Sequence, residues 1–344
     1  MESFRLEKRA HDMTGESAAS NAAEVRLLLT SAGRRVELMR CFQHEASVLG
    51  ITLGTLACDL DPRLSPACRL ADTMFAVPSA ASSSYVDELL DLAAAKRVTM
   101  IVPTIDPELL PLSLGRERFA AIGTDVVISG PELVGIARDK LATAEFLAAY
   151  DIPSPRTARL EDVCAAPDDW QWPVMVKPRH GSASRGIRII TSPAGLPHDP
   201  EEPLIVQELL QGREFTVNMF FDRKGQFRAA VPHERLRVRA GEVEKGITRR
   251  DAAIERVAAQ LAEVLPRPRG ALCFQAFVTG SGDVRVFEIN ARFGGGYPLA
   301  HEAGATFVKW LLQEQAGLPC TAGNDGWRGN LTMLRYDAAV FVTS

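Results

Sequence analysis

The sequence predicts an α/β fold in three lobes, and three observations carry that expectation. Residues 24–130 alternate short apolar runs with helical periods, the pattern of a parallel sheet wrapped by helices. Residues 131–205 hold two helical stretches and then a small, glycine-containing unit with short apolar strands. Residues 206–344 are richer in strands with a period of two, the mark of antiparallel sheet. The chain has 344 residues, 46% hydrophobic and 24% charged, which suits a soluble globular protein of more than one domain.

Taken in order, residues 1–23 mix charges with small polar residues and lack an apolar h-region, so they read as a disordered leader rather than a signal peptide. Residues 25–29 are an apolar run ending in Thr30-Ser31-Ala32-Gly33. Val36, Met39, Phe42, Ala46 and Leu49 then recur at helical spacing, and Gly50 is a natural C-cap. A second run, 51–57, ends at Asp59 and Asp61; residues 85–96 are helical, 98–102 strand-like, and 126–128 close this Rossmann-like set. Pro131 opens a helical pattern that runs in two parts to Tyr150, where Asp151-Ile152-Pro153-Ser154-Pro155 breaks it. Loop-like stretches at 165–173 and 192–203 bracket strands at 174–177 and 187–191, a unit that suits a mobile lid. Further on, Phe215, Val217, Met219 and Phe221 alternate with Glu214, Thr216 and Asn218. Gly280-Ser281-Gly282 joins runs 272–279 and 283–290 as a hairpin, and 252–265 is a helical insert.

Composition excludes some functions. The net charge of −4, with no basic block, argues against nucleic acid as a partner. No run of about 18 apolar residues exists, so no membrane span is expected. The six cysteines form no C-x-x-C pair and read as reduced thiols of a cytoplasmic protein.

Three constellations carry chemistry. In residues 174–187 an apolar strand delivers Lys177, and Gly181-Ser182-Ala183-Ser184-Arg185-Gly186 follows. Small side chains let backbone amides approach phosphate oxygens, and Lys177 adds a point charge. The lysine precedes the glycines, so this is not the P-loop; a plain exposed hairpin turn has the same composition. In Phe287-Glu288-Ile289-Asn290-Ala291-Arg292, a two-residue period puts Glu288, Asn290 and Arg292 on one face. A carboxylate, a carboxamide oxygen and a cation there would hold Mg2+ and a phosphate together, and pairing across the 280–282 turn would add Gln275. The competing reading is a solvated sheet face. The third stretch, 206–215, would offer backbone groups to an adenine edge and a carboxylate to ribose hydroxyls, or be an ordinary strand–turn–strand.

In this order and spacing, these phrases resemble the ATP-grasp superfamily, over about residues 25–318, and most nearly the short relatives of the carbamoyl phosphate synthetase large subunit. Residues 28–35, Asp59-Leu60-Asp61-Pro62, Arg138-Asp139-Lys140 and the run 290–298 match as well. The resemblance implies a pre-ATP-grasp parallel-sheet domain at 24–130, a linker helix and lid at 131–205, and a large antiparallel-strand lobe at 206–344. It implies ATP and Mg2+ (or Mn2+) as cofactors. Lys140 and Lys177 would contact ATP phosphates, with Gly181, Ser182, Ser184, Arg185 and Gly186 closing over them. Glu208 and Leu210 would meet adenine, and Glu214 the ribose. Gln275, Glu288 and Asn290 would hold the metal, and Arg292 would join Lys177 in catalysis, facing the γ-phosphate. The reaction implied is ATP-dependent joining of a small-molecule carboxylate to an amine through an acyl phosphate, by a possible homodimer.

The segment 233–246 reads as a charged, glycine-containing connection where relatives bind the acceptor. There Arg235 or Arg237 would grip a carboxylate and Glu244 an amine, unless the segment is a plain surface loop. Two alternatives stay open: a carboxyphosphate-forming enzyme like biotin carboxylase or carbamoyl phosphate synthetase, and a non-catalytic nucleotide-binding regulator. A nicotinamide enzyme fails, because Ser31-Ala32-Gly33-Arg34-Arg35 is not G-x-G-x-x-G.

Overall fold

Strands and helices alternate through the first domain: β1 (Glu24–Thr30), α1 (Val36–Leu49), β2 (Thr52–Asp59), α2 (Pro66–Leu70), β3 (Thr73–Ala76), α3 (Tyr85–Lys96), β4 (Met100–Pro103), α4 (Asp106–Leu114), α5 (Arg116–Ala121) and β5 (Asp125–Val126). The computed structural model describes residues 23–181 and 185–343, so residues 1–22 of the expected leader, Ser182 and Ser184 lie outside the described residues. The five strands are parallel in the order β3-β2-β1-β4-β5. β1 is central and covered on both faces, Leu27 and Leu29 joining one core and Leu28 another, which is why its sequence reads as one apolar run. Gly50 ends α1 with φ +66, donating its N–H back into the last turn. The sequence reading passes over β3, α4 and α5. β3 is only four residues long, and α4 carries Pro107 and Pro111, which mask its helical period.

α6 (Pro131–Arg138) and α7 (Lys140–Ala149) follow as the expected two-part helix, with the Asp139 carboxylate accepting from the Leu141 and Ala142 amides at the break. The lid contains β6 (Thr157–Arg159), α8 (Leu160–Ala165), β7 (Val174–Pro178), β8 (Arg188–Ile190) and β9 (Leu204–Glu208), its four strands ordered β6-β9-β7-β8. Its core is separate, built on Val163, Trp170, Val174, Val176 and Val206. β9 carries this sheet on to Glu208, past residue 205.

The large lobe has β10 (Arg213–Phe221), β11 (Phe227–Arg239), β12 (Glu242–Thr248), α9 (Ala252–Val264), β13 (Gly270–Val278), β14 (Val284–Asn290), α10 (Tyr297–Glu302), α11 (Phe307–Gln315) and β15 (Thr332–Leu334), in sheet order β14-β13-β10-β11-β12-β15. Phe215, Val217, Met219 and Phe221 pack beneath α9 as their alternation requires. The other face of β10 is buried as well, with Phe220 against Phe307 and Trp310. Segment 233–246 differs from expectation. It is not an irregular connection but the β11–β12 hairpin, turning at Ala240 and Gly241 with φ +50 and +77. Leu236 and Val238 stay exposed there, so ladder pairing rather than apolar burial makes the strand.

The first domain and the large lobe share a core in which β1 and α1 meet α10 and α11. Buried Arg269 ties them further, pairing with Asp125 and Glu314 at 2.9 Å each. These two form the frame, to which the hinge end of the lid is tied by Arg285 and Glu208 at 2.9 Å. Among the described residues no helix is long and apolar enough to cross a membrane. All six cysteines are free; Cys164 and Cys320 are exposed and the rest buried.

Candidate active site

A cleft of about 220 Å³ separates the lid sheet from the β10, β13 and β14 side of the large lobe. Of the residues singled out in the sequence, Lys140, Lys177, Gly181 and Arg185 line its lid side, and Glu208 and Leu210 its hinge. Glu214, Arg235, Gln275 and Glu288 line the opposite wall. Gly186 does not reach it but packs on Pro178, with φ +69 and space for no side chain.

β7 buries Lys177, and the strand order explains how it is held. Lys177 Nζ donates to Gln207 Oε1 on β9 at 2.9 Å, and Gln207 Nε2 donates to Thr157 Oγ1 on β6 at 2.8 Å. This relay across three adjacent strands fixes the amide and keeps the ammonium aimed at the cleft. Burial, with Lys140 nearby and Glu288 opposing, brings the ammonium down to about 8. Lys140 stands at the start of α7 and donates to the Gly181 carbonyl at 2.6 Å. Beside it, Arg179 grips Asp139 through a two-pronged pair, so the helix break and the end of β7 are locked together.

The opposite wall depends on a β-bulge. Gln275 stands directly opposite Glu288 rather than Phe287, because Ala276 pairs with Val286 and leaves Phe287 extra. A regular strand would send Phe287 and Glu288 to opposite faces; the bulge turns both into the cleft. Asn290 does not line the cleft, but its Nδ2 donates to Glu288 Oε1 at 3.2 Å. Among the described residues no three His, Cys, Asp or Glu side chains converge on a metal position. One carboxylate with carboxamide oxygens is nonetheless a donor set that suits Mg2+ when phosphate and water complete its shell.

Glu214 and Arg235 form one pair across β10 and β11, with Arg235 Nη1 at 2.6 Å from Glu214 Oε1 and 3.0 Å from Gln275 Oε1. Burial pushes the Glu214 carboxyl up, and Arg235 counteracts it. Here the sequence expectation needs correction. Arg235 faces the cleft, whereas Arg237 is 65% exposed and meets Glu244 at 3.0 Å away from it, so the three do not make one pocket. The β-bulges on either side of Arg237 take it out of phase with Arg235.

Arg292 is also placed differently from the expectation. It lies outside the cleft lining, gripped by Asp106 at 2.9 and 2.7 Å, with a further contact to Asn290 Oδ1 at 3.2 Å. Burial alone would raise the Asp106 carboxyl, but Arg292 holds it below the ordinary carboxylate range. The next residues, Gly294, Gly295 and Gly296, pack so closely on Cys273, Glu242 and His233 that an added Cβ would come within 3.1 Å of each. Sequence reasoning missed Asp106, Gln207 and the apolar walls Met175, Ile187, Phe277 and Phe287. Asp106 had a signal, as an acidic residue just past the carboxyl end of a buried parallel strand.

Residues 137–296 match the ATP-grasp domain family, and residues 27–127 match the PylC-like N-terminal domain family. A biotin carboxylase from Campylobacter jejuni superposes with TM-score 0.71 at 15% identity, covering 89% of this chain and 74% of its own. N5-carboxyaminoimidazole ribonucleotide synthetase from Thermotoga maritima gives 0.64 at 19% identity, covering 88% and 78%. The 2-oxoglutarate carboxylase biotin carboxylase domain of Hydrogenobacter thermophilus gives 0.70 at 15%, covering 89% and 73%. In sequence, the uncharacterized protein y4sG of Sinorhizobium fredii (strain NBRC 101917 / NGR234) is 26% identical over 113 residues, 31% of this chain and 34% of that protein, so the match spans about a third of the relative's length. Residues 137–296 thus form an ATP-grasp domain preceded by a PylC-like N-terminal domain, and the chain shares the fold of these enzymes.

Proposed function

We propose that the protein is an ATP- and Mg2+-dependent ligase that joins a carboxylate to an amine through an acyl phosphate. The observation that carries this reading is the facing of Lys177 and Glu288 across one cleft, with Asn290 linking Glu288 to Arg292. The purine would lie between the apolar walls Met175 and Ile187 on one side and Phe277 and Phe287 on the other. Lys140 and Lys177 would bind the phosphates, and Glu288, Asn290 and Gln275 would hold Mg2+, which supplies charge neutralisation when bound. Glu214, with its carboxyl partly relieved by Arg235, faces the cleft where ribose hydroxyls would donate to it.

A substrate carboxylate oxygen attacks the γ-phosphorus and ADP leaves. The amine nitrogen then attacks the carbonyl carbon, phosphate leaves, and the nitrogen sheds a proton to give the amide. Two anions must approach each other in the first step, so cations near the reacting oxygens lower its barrier. Arg292 supplies one by exchanging part of its grip on Asp106 for the incoming carboxylate.

Phosphorus NMR during turnover on paired panels of carboxylates and amines tests the reading. ADP and phosphate are expected, and AMP with pyrophosphate overturns it. ADP release that requires bicarbonate and no other carboxylate would instead assign the carboxyphosphate chemistry. The dimer named for the Hydrogenobacter domain supports a homodimer here, which sedimentation measures.

A further inference from the structure

The N-terminal sheet reverses its winding between β1 and β4, and in such sheets ligands bind in the crevice past the carboxyl ends of the strands on either side of that reversal. Here the residues just past those strand ends, 31–35 and 104–106, meet the large lobe through Arg35–Glu242 and Asp106–Arg292. Arg35 stands there with its side chain 19% exposed. Among the described residues its guanidinium makes only long contacts, 3.3 Å to the Thr104 carbonyl and 3.8 Å to Glu242 Oε1. A guanidinium has five N–H donors, and a mostly buried one costs stability unless those donors and the charge are met.

The neighbours leave positive charge in surplus. Arg335, just past β15, donates to Glu242 Oε2 at 2.9 Å and to the Gly295 carbonyl. Glu242 is thus shared by Arg35 and Arg335, while Asp106 is engaged by Arg292. Three guanidiniums meet two carboxylates, and Arg34 and Arg138 act on the same two acids from the margins. Burial and then Arg292 lower the pKa of Arg35, as expected of a cation short of partners. None of Arg35, Arg292 and Arg335 lines the nucleotide cleft. The connection to it runs from Glu288 through Asn290 to Arg292.

We infer that this crevice is an anion subsite in which Arg35 and Arg335 take a second acidic group of the substrate, apart from the carboxylate activated beside Arg292. The inference rests on the ligase reading for the reacting end and narrows the substrate to dianions, dicarboxylates or phospho-carboxylates. Either group fits the fork of a guanidinium. Glu242 holds Arg335 at 2.9 Å and faces Arg35 at 3.8 Å, and yields them to the ligand.

Calorimetric titration of the MgADP-loaded protein tests this with glutarate and 3-phosphonopropionate against monomethyl glutarate. Both dianions are expected to bind at least tenfold more tightly than the monoester, and the tighter of the two names the acidic group. Arg35→Ala should erase that preference and Arg35→Lys should restore part of it, with melting temperatures checking the fold. Glu242→Gln removes the competing carboxylate and should tighten dianion binding several-fold, a gain that misfolding would not produce. Equal affinity for monoester and dianion, no dianion binding, or a preference that survives Arg35→Ala overturns the subsite. Failure of MgADP itself to bind would instead overturn the ligase reading.

Discussion

Around the cleft each side chain is held by a neighbour in its own sheet, whereas beyond it, towards the first domain, the contacts cross between domains. Lys177 is aimed by Gln207, 30 residues away on the adjacent strand, and Glu288 by the hairpin that sets it opposite Gln275. Arg292 is gripped by Asp106 of the first domain, 186 residues away, and Glu242 faces Arg35 of the same domain at 3.8 Å. The lid also has a core of its own, while the frame residues sit where two domains share one. Losses at the two ends should therefore differ in kind: those around the cleft should fall on nucleotide binding and turnover, and those at the domain boundary on stability.

The largest expected effect sharpens that contrast. Lys177→Ala and Glu288→Ala should each lower turnover about a hundredfold or more, the usual loss for a preorganised electrostatic group. Unfolding curves should stay near those of the parent protein. Near-normal rates at saturating ATP and Mg2+ would mean the cleft has been assigned to the wrong chemistry. Asp106→Ala should do the reverse, removing about 3 kcal/mol of stability by leaving Arg292 a buried charge without its partner. Denaturant titration measures this, and an unchanged midpoint would break the distinction between the two ends.

A smaller effect is set by pH. Because burial holds Lys177 at about 8, the free protein loses this cation as pH rises through that value. ATP affinity should fall about fivefold between pH 8 and 9 and be flat below about 7, with proton uptake on binding in the upper range. The linked stability runs the other way. Between about 8 and the ordinary 10.5 the unfolded lysine keeps a proton that the buried one has lost, so this group favours folding more as pH rises. Affinity independent of pH across 7 to 9 would remove Lys177 from the phosphate site. The smallest effect belongs to Arg237→Ala. Its side chain is 65% exposed and Glu244 keeps a second partner in Arg239 at 3.4 Å, so stability should change by less than about 1 kcal/mol and the kinetic constants not at all. A raised KM for the carboxylate or amine would return Arg237 to the acceptor site.

The same contrast explains what could be read from the sequence. Local rules placed the parallel domain, the Gly50 cap, the two-part helix from Pro131 to Tyr150 and the turn that brings Gln275 to the Phe287–Glu288 stretch, because each depends on residues close in the chain. They failed where partners are remote or a regular period is interrupted. Nothing near Arg292 announces Asp106, and nothing near Arg35 announces Arg335. The charge pattern of 233–246 put Arg235, Arg237 and Glu244 in one acceptor pocket, but the bulges beside Arg237 take it out of phase with Arg235. The prolines of α4 hid the helix that presents Asp106.

The bulge at Phe287 also separates two kinds of tolerance in this hairpin. The turn at 280–282 can change length, since Gly280 and Gly282 have open space around them and the flanking strands keep their pairing. One residue removed between 284 and 288 would instead restore a regular ladder and carry either Phe287 or Glu288 to the far face. In this stretch the number of residues is constrained as tightly as their identity. Variation among relatives of this chain should therefore take the form of insertions at the turn and of substitutions, never of gaps, along the strand that follows it.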